Sequence, residues 1–510
     1  MRLPRASGVL LHPTSLPGAH GSGDCGATAY HFVDWLVQAG QSLWQILPLN
    51  PIGAGNSPYA SSSAFAGNLL LVDLLELQQQ GWLSADEVAP VPGLLAQRVV
   101  FEQVVPFRMQ RLQWAADRFF ALPVNDERRQ AFAQFCQLEA AWLDDYALFM
   151  ALDEAHSRGG AHDGCDWCSW PEPLARRDAG ALAQAATAHA ARTAFWQFGQ
   201  WCFFRQWQRL KHYANQRGVR IIGDVPIFIA HHSAEVWAHQ ALFELDAGGR
   251  PSVVAGVPPD YFSATGQRWG NPLYRWPAHA RDAYAWWVQR LRCVFELVDI
   301  VRIDHFRGFA AHWEIAASEP TAQHGHWRDG PGAALFEAIE AALGPMPIIA
   351  EDLGLITPDV HALRRRFALP GMRILQFAFG GDARNTYLPH HHERDSVVYP
   401  GTHDNDTVLG WWAAAGQHER SFARDYLGLN DGDDIAWALI HCAQASVADT
   451  AVVAMQDVLS LGSDARLNFP GQANGWWTWR MQWSQVGNAD AQRLATLGRL
   501  FDRLPRGAHP

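Results

Sequence analysis

The 510-residue chain lacks the sequence features of a membrane protein or a nucleic-acid-binding protein. No run of about 18 or more apolar residues predicts a membrane span, and the N-terminal apolar stretch GVLL is too short for the core of a secretion signal. The chain is poor in positive charge, with a net charge of -11 and a pI of about 6.1, whereas binding to a phosphate backbone requires clustered Lys and Arg. We therefore expect neither a membrane nor a nucleic acid as a partner.

Cysteine is also scarce, and its pattern does not resemble a disulfide framework. The seven cysteines are an odd number scattered along the chain, which favours a reducing cytoplasm. The CxxC pair Cys165 and Cys168 lacks the second pair of a zinc site, and adjacent side chains in His390–Glu393 cannot all face one ion. No glycine motif for a phosphate or a dinucleotide lies between a strand and a helix. We expect no cofactor and no metal.

Apolar and aromatic residues, in contrast, are abundant. Hydrophobic residues make up 48% of the chain and charged residues 18%, which is enough apolar material for a large buried core. Most of the 24 tryptophans are expected in that core, but an aromatic ring also offers a flat apolar face to the C–H side of a pyranose. The composition suits a globular protein with a neutral, sugar-like substrate.

Short apolar runs that end in polar residues recur along the whole chain, separated by long helical stretches. This alternation is typical of an α/β fold with a parallel sheet, and eight such runs predict a (β/α)8 TIM barrel with its active site at the carboxyl ends of the strands. The runs are Gly8–His12, Ser42–Leu49, Arg220–Ile229, Val298–Asp304, Pro347–Glu351, Met372–Phe379, Val397–Thr402 and Ala451–Leu459.

Roughly half of the chain must be insertions, because a bare barrel takes about 250 residues. Apolar residues at spacings of three and four predict a mainly helical insertion over residues 50–219. A second insertion, residues 231–297, contains the segment GVPPDYFSATGQRWGNPLY at positions 256–274. Its Gly, Pro and aromatic content predicts an irregular active-site loop. We interpret residues 1–510 as one elaborated catalytic domain.

The run VDIVRIDHFRG places two charged residues in an otherwise buried strand. Arg302 and Asp304 are two residues apart, so both side chains face the same side. A guanidinium beside a carboxylate favours the ionised form that a glycosidic nucleophile needs. The alternative, a purely structural ion pair, is equally compatible with this segment alone.

Two further acidic groups follow predicted strands. Glu351 comes directly after an apolar run, where burial raises the pKa of a carboxyl and suits it to donate a proton. Alternation along the strand sends Asp352 to the opposite face. The cluster GTHDNDT adds His403 and Asp404 after another strand, where we interpret both as binders of sugar hydroxyls.

The motifs VRIDHFRG, IIAEDLG and GTHDNDT, with SPYASSSAFAGN and DYFSATGQRWGNPLY, resemble those of the amylomaltases, or 4-α-glucanotransferases, of glycoside hydrolase family 77. The resemblance extends from about Gly8 to Trp479 with all five motifs in order. It implies the retaining transfer of α-1,4-glucan segments between maltooligosaccharides, with glucans as both donor and acceptor. It implies no obligate protein partner.

By this resemblance Asp304 is the nucleophile, Glu351 is the acid/base and Asp404 holds hydroxyls of the distorted sugar. The resemblance also places aromatic residues 261 and 262 over the acceptor side of the site. The sequence departs from the family pattern at Ala264, Gln472 and Trp476, which leaves the preferred chain length of the substrate open. The residues that the resemblance assigns to substrate binding are Ser57, Tyr59, Asp224, Asp260, Tyr261, Phe262, Trp269, Asn271, Arg302, His305, Phe377, His403 and Asn468.

Two alternative functions are compatible with the same residues. An α-glucan hydrolase would share every step up to the covalent intermediate and differ only in the group that attacks it. A non-catalytic glucan-binding protein on an enzyme scaffold would have no need for Asp304, Glu351 and Asp404 together, so their presence argues against it.

Overall fold

A computed structural model describes residues 3–90, 93–94, 96–156, 166–259 and 263–505. The strands in these ranges are β1 Ala6–Leu10, β2 Leu43–Gln45, β3 Arg220–Pro226, β4 Val253–Val257, β5 Gln267–Pro272, β6 Ile300–Asp304, β7 Ala311–Ala316, β8 Gly325–Asp329, β9 Ile348–Ala350, β10 Gly371–Ile374, β11 Ser396–Tyr399 and β12 Thr450–Ala454. The α-helices are α1 Ala27–Gln38, α2 Leu74–Gln79, α3 Phe101–Phe120, α4 Glu127–His156, α5 Glu172–Ala175, α6 Ala179–Ala188, α7 Ala190–Gln216, α8 Ala234–Ala238, α9 Trp276–Arg281, α10 Ala285–Leu297, α11 Ala333–Leu343, α12 Pro358–Arg366, α13 Val408–Ala414, α14 Gln417–Leu427, α15 Ile435–Ala445, α16 Met455–Val458 and α17 Asn488–Leu500.

Eight parallel strands form the central barrel in the order β10-β11-β12-β1-β2-β3-β6-β9. The two ends of this sheet meet where the backbone N–H of Ala350, in β9, donates to the carbonyl of Pro370 just before β10, at 2.9 Å. Each of the eight predicted runs contains or overlaps one of these strands. The prediction of a (β/α)8 barrel is confirmed.

The barrel strands are short, apolar and covered on both faces. All five residues of β1 and all five of β12 are buried. The β-branched residues Val301 and Ile303 in β6, and Ile348 and Ile349 in β9, pack well on a pleated surface. Helices on the outside of the barrel cover the other face of the sheet. A charged residue inside such a strand must therefore find its partner within the barrel.

A second sheet, antiparallel and in the order β5-β4-β7-β8, was not predicted from the sequence. The prediction that segment 256–274 is irregular is wrong at its flanks, which belong to the β4–β5 hairpin. Gly256 permits the close approach of the two strands, since an added Cβ would lie 2.3 Å from the carbonyl oxygen of Gln267. Gly266 has a φ of +66° just before β5. These glycines indicate tight strand pairing rather than an irregular loop.

Helices α2 to α7 lie within residues 50–219, the range in which the sequence predicts a mainly helical insertion. Large aromatic rings fill their interior, as where Trp82 contacts Phe119 and Trp201. The division of the chain into a barrel with insertions at 50–219 and 231–297 stays a prediction. Within the described part of the chain, no helix is long and apolar enough to cross a membrane.

The pairing of β1 with β2 generates a stability prediction. Gly8 lies opposite Leu43, and an added Cβ would lie 2.4 Å from both the Cβ and the carbonyl oxygen of Leu43. We expect Gly8→Ala to lower the free energy of unfolding by about 1–3 kcal/mol or more, because the backbone must shift. Urea denaturation measures the change. Gly380→Ala is the matched control, since its added Cβ meets nothing within 4 Å, and a similar loss there would contradict the steric explanation.

Candidate active site

Three acidic side chains gather at the carboxyl ends of the barrel strands. Asp304 is the last residue of β6, Glu351 directly follows β9, and Asp404 lies beyond the end of β11. The register between β6 and β9 pairs Ile303 with Ala350, so the next residues, Asp304 and Glu351, emerge side by side. Parallel strands thus bring together residues that are far apart in sequence.

Arg302 joins Asp304 to a fourth carboxylate, Asp224, inside the barrel. Its guanidinium donates to both oxygens of Asp224 at 2.6 and 2.7 Å, and lies 3.0 Å from the carboxylate of Asp304. The side chain of Arg302 is 3% exposed and that of Asp224 is not exposed at all. β3 and β6 pair Asp224 with Arg302, which explains how the contact forms. The predicted proximity of Arg302 and Asp304 agrees with this geometry.

Backbone N–H groups hold the carboxylate of Glu351 at both oxygens. The N–H of His305 donates to Oε2 at 2.7 Å and that of Leu353 donates to Oε1 at 2.8 Å. His305 adopts the left-handed conformation, with φ 53° and ψ 47°, which costs a residue with a side chain roughly 1–3 kcal/mol. That strained turn directs the His305 N–H at Glu351. Asp352 points elsewhere, accepting from the N–H of Met372 at 2.7 Å.

The two neighbouring carboxyls differ in acidity. Burial raises the pKa of Glu351 to about 8 although Arg302 opposes the rise, and the charge on Asp304 adds to it. Burial also raises the pKa of Asp304 to about 6, again against the effect of Arg302. The expectation that Arg302 favours the ionised carboxylate is right in direction, but burial outweighs it. Near pH 7 the pair holds one ionised group, Asp304, and one protonated group, Glu351.

A hydrogen-bonded chain leads from Asp224 through Tyr59 to His403, which lies close to Asp404. The phenol of Tyr59 donates to Asp224 at 2.9 Å, so the Nε2–H of His403 must donate to the Tyr59 oxygen at 2.8 Å. The same Nε2 lies 3.4 Å from the carboxylate of Asp404. Asn468 donates to the other oxygen of Asp404 at 2.7 Å. The charges of Asp404 and His403 act on the pKa of Asp304, so these side chains lie close to it.

The other predicted binding residues vary in their relation to this cluster. Trp269 lies edge-on against His305 with the ring centroids 4.8 Å apart, and Asn271 lies on the same strand, β5. The Ser57 hydroxyl accepts from the N–H of Tyr59 at 3.2 Å. Phe377 lies beyond β10, where its ring contacts Tyr387. Asp260, Tyr261 and Phe262 lie outside the described residues.

The structure adds residues that sequence reasoning missed. Arg466 donates to the backbone carbonyls of Asp404, at 2.8 Å, and Asn468, at 2.6 Å, and so holds the two together. The ring of Trp477 packs against those of Tyr59 and His403. The position of Arg466 two residues before Asn468 was the only available signal, and it carries no information about hydrogen bonds to carbonyl oxygens.

The cysteine motif leads to one cluster of potential metal ligands in the described ranges, Asp166, Cys168 and His231. Its atoms already have other partners. Arg250 lies 3.2 Å from the Asp166 carboxylate, and His231 Nε2 hydrogen-bonds the carbonyl of Gly249 at 2.9 Å. These contacts compete with a cation, and Cys165 lies outside the described residues. The absence of a metal stays a prediction.

Comparison with known proteins reveals extensive similarity. The chain matches the family described as 4-alpha-glucanotransferase over residues 11–485. It is 50% identical to the 4-alpha-glucanotransferase of Thermus thermophilus, over 99% of this chain and 100% of that protein. It is 45% identical to the enzyme of the same name from Synechocystis sp., over 98% of each. The amylomaltase from Streptococcus agalactiae in complex with acarbose has a TM-score of 0.93 at 36% identity, covering 98% of this chain and 99% of that one.

The buried position of Arg302 generates a second stability prediction. We expect Arg302→Met to lower the free energy of unfolding by about 3–5 kcal/mol at pH 7, because it leaves Asp224 buried without its counter-ion. Urea denaturation measures the loss. Arg384→Met is the matched control, since the side chain of Arg384 is 89% exposed in its pair with Asp382, and we expect a change within about 0.5 kcal/mol there. Equal effects of the two substitutions would contradict a structural role for the Arg302 ion pairs.

Proposed function

The chain belongs to the family of 4-alpha-glucanotransferases and has their activity, and from this premise we propose that it acts by a retaining double displacement with Asp304 as nucleophile and Glu351 as acid/base. The observation that carries the proposal is the geometry of the pair, in which Arg302 lies 3.0 Å from Asp304 and two backbone N–H groups hold Glu351. Burial, in agreement with these roles, raises the pKa of Asp304 to about 6 and that of Glu351 to about 8. Neighbouring strands lie about 4.7–4.9 Å apart. That is the spacing of the backbones, and for the two carboxyls at these strand ends we expect about 5–5.5 Å, the separation in retaining enzymes.

In the first half-reaction, a carboxylate oxygen of Asp304 attacks the anomeric carbon of the donor glucan. The bond from that carbon to the glycosidic oxygen breaks, and Glu351 gives its proton to the departing oxygen. The product is a glucosyl ester of Asp304 and a shortened glucan. Arg302 supports this step because its guanidinium, 3.0 Å from Asp304, stabilises the ionised nucleophile.

In the second half-reaction, Glu351 is ionised and takes the proton from a hydroxyl of an acceptor glucan. The acceptor oxygen attacks the anomeric carbon, and the ester bond to Asp304 breaks. The N–H groups of His305 and Leu353 favour the ionised form of Glu351, which is the form that this step requires. The two N–H donors thus favour the ionised form of Glu351, whereas its burial favours the protonated form.

Asp404 and the chain of hydrogen bonds around it act on the sugar that undergoes substitution. We assign Asp404, His403 and Tyr59 to its hydroxyl groups. Asn468 donates to the carboxylate of Asp404, and Arg466 donates to its backbone carbonyl. These bonds align the carboxylate before the sugar binds. Trp269 lies against His305, whose N–H holds Glu351, and we assign Trp269 to the acceptor.

The expectation of no cofactor stays a prediction, and the double displacement described above uses only a glucan donor and a glucan acceptor. The six described cysteines are free thiols, which supports a cytoplasmic location. The expectation of no obligate protein partner stays a prediction. The hydrolase alternative differs in the group that attacks the intermediate, and the ratio of free glucose to new oligosaccharides formed from maltotriose measures that difference.

The two carboxyls can be distinguished by their dependence on the leaving group. We expect Asp304→Asn and Glu351→Gln each to remove nearly all transfer between maltooligosaccharides, by about 1,000-fold or more. With an α-maltosyl fluoride donor, whose leaving group needs no proton, Glu351→Gln should still release fluoride in a first turnover while Asp304→Asn should not. Fluoride release measured in a stopped-flow instrument separates the roles. Release by Asp304→Asn alone would reverse the assignment.

The acidity of the pair predicts a bell-shaped pH profile for kcat/KM. Activity requires Asp304 ionised and Glu351 protonated, so it should fall as the pH drops below about 6 and as it rises above about 8. Initial rates on maltotriose, measured from about pH 4 to about pH 10, check this prediction. With the fluoride donor the alkaline fall should disappear from glucosylation, whereas the acid fall should remain. An alkaline fall of equal size with both donors would contradict the role of Glu351 as acid.

A further inference from the structure

The four-stranded sheet stands on the same face of the barrel as the carboxylates. Its hairpin β4–β5 follows barrel strand β3 in the chain, and the pair β7–β8 follows barrel strand β6. Both pairs are therefore inserted after the carboxyl ends of barrel strands. Its two edge strands each carry an exposed tryptophan. Trp269 on β5 is 39% exposed and Trp327 on β8 is 37% exposed, whereas most other tryptophans of the described chain are buried. The reaction already explains Trp269 but leaves Trp327 without a role.

The ring of Trp327 is held in a fixed orientation without being buried. The guanidinium carbon of Arg307 lies 3.8 Å from its ring centroid. Trp313 pairs with it across β7 and β8, edge-on at 5.3 Å between centroids, and is itself anchored by an N–H bond to the carbonyl of Ala322 at 2.9 Å. An exposed ring that is already ordered loses little conformational entropy when a ligand stacks on it.

Contacts connect this ring to the segment that carries the acid/base. Arg307, whose guanidinium lies over Trp327, also donates to the carbonyl of Leu355. Leu355 is 61% exposed and lies four residues after Glu351. On the other side, Arg307 lies two residues after His305, whose N–H holds Glu351. Arg307 therefore links the ring of Trp327 and the backbone of Leu355 to the two segments next to Glu351.

We propose that Trp327 and Leu355 form an outer binding surface for the acceptor glucan, beyond the sugar whose hydroxyl meets Glu351. This proposal rests on the proposed function, because Glu351 defines the acceptor side. A glucan suits the surface chemically, since a pyranose presents an apolar C–H face to an indole. The guanidinium of Arg307 stacks on the ring and donates to a carbonyl oxygen, so these contacts order the surface while the arginine keeps its charge. The consequence is a preference for acceptors longer than one sugar.

Acceptor kinetics with Trp327→Ala test the proposal directly. The donor is an α-maltosyl fluoride blocked at its 4′-hydroxyl, which cannot act as an acceptor, and the acceptors are glucose and maltotetraose. We expect Trp327→Ala to raise the KM for maltotetraose by about five- to tenfold, the size of an aromatic stacking contact, and to leave the KM for glucose unchanged. Trp327→Phe keeps an aromatic face and should raise the KM for maltotetraose less. Leu355→Ala should raise that KM about twofold.

Leu138→Ala on α4 is the matched control, because its side chain is 73% exposed on the helical insertion, and it should change neither KM. An unchanged KM for maltotetraose in Trp327→Ala would overturn the proposal, as would an equal rise for glucose and maltotetraose. If Trp327→Ala does not fold, unaltered acceptor kinetics in both Trp327→Phe and Leu355→Ala overturn it. Failure of the proposed function would be seen differently, as transfer to glucose that survives in Asp304→Asn.

Discussion

The site depends on one ionic constraint, the guanidinium of Arg302 between the carboxylates of Asp224 and Asp304 inside a closed barrel. A buried arginine is tolerated only where counter-ions meet it, and adjacent strands supply them in fixed register. The side chain of Arg302 fixes one oxygen of Asp304 while Tyr59 extends the network from Asp224 to His403. The proposed nucleophile and the side chains proposed to bind the sugar are thus connected through one network of polar contacts.

Burial raises the pKa of both central carboxyls, but to different extents because their partners differ. Asp304 has Arg302 at 3.0 Å, which limits the rise of its pKa to about 6. Glu351 is held by neutral N–H donors and feels the charge of Asp304, and its pKa rises to about 8. Two acids on neighbouring strands thereby occupy different protonation states near neutral pH. The left-handed turn at His305 bears a conformational cost and delivers the N–H that aligns Glu351.

The four-stranded sheet shows how insertions after barrel strands shape the site without altering the barrel. Composition alone predicted an irregular segment at 256–274, because Gly and Pro normally interrupt regular structure. In the fold, Gly256 instead allows β4 and β5 to approach closely. The same sheet places Trp269 against His305 and Trp327 against Arg307. His305 and Arg307 both belong to the segment that follows β6. Whether a glycine breaks a strand or permits tight pairing depends on the neighbouring strand, which the local sequence does not reveal.

The sequence by itself determined the eight barrel strands and the acidic residues at three strand ends, because apolar runs in a parallel sheet have a distinct pattern and a polar residue at their end stands out from it. It also determined that Asp352 faces away from Glu351, since alternation is a local property. Only the tertiary structure decided the pairing of Arg302 with Asp224, the role of Arg466 behind Asp404 and the second sheet. Those contacts join residues that are distant along the chain, and they arise from strand register and loop packing rather than from local preference.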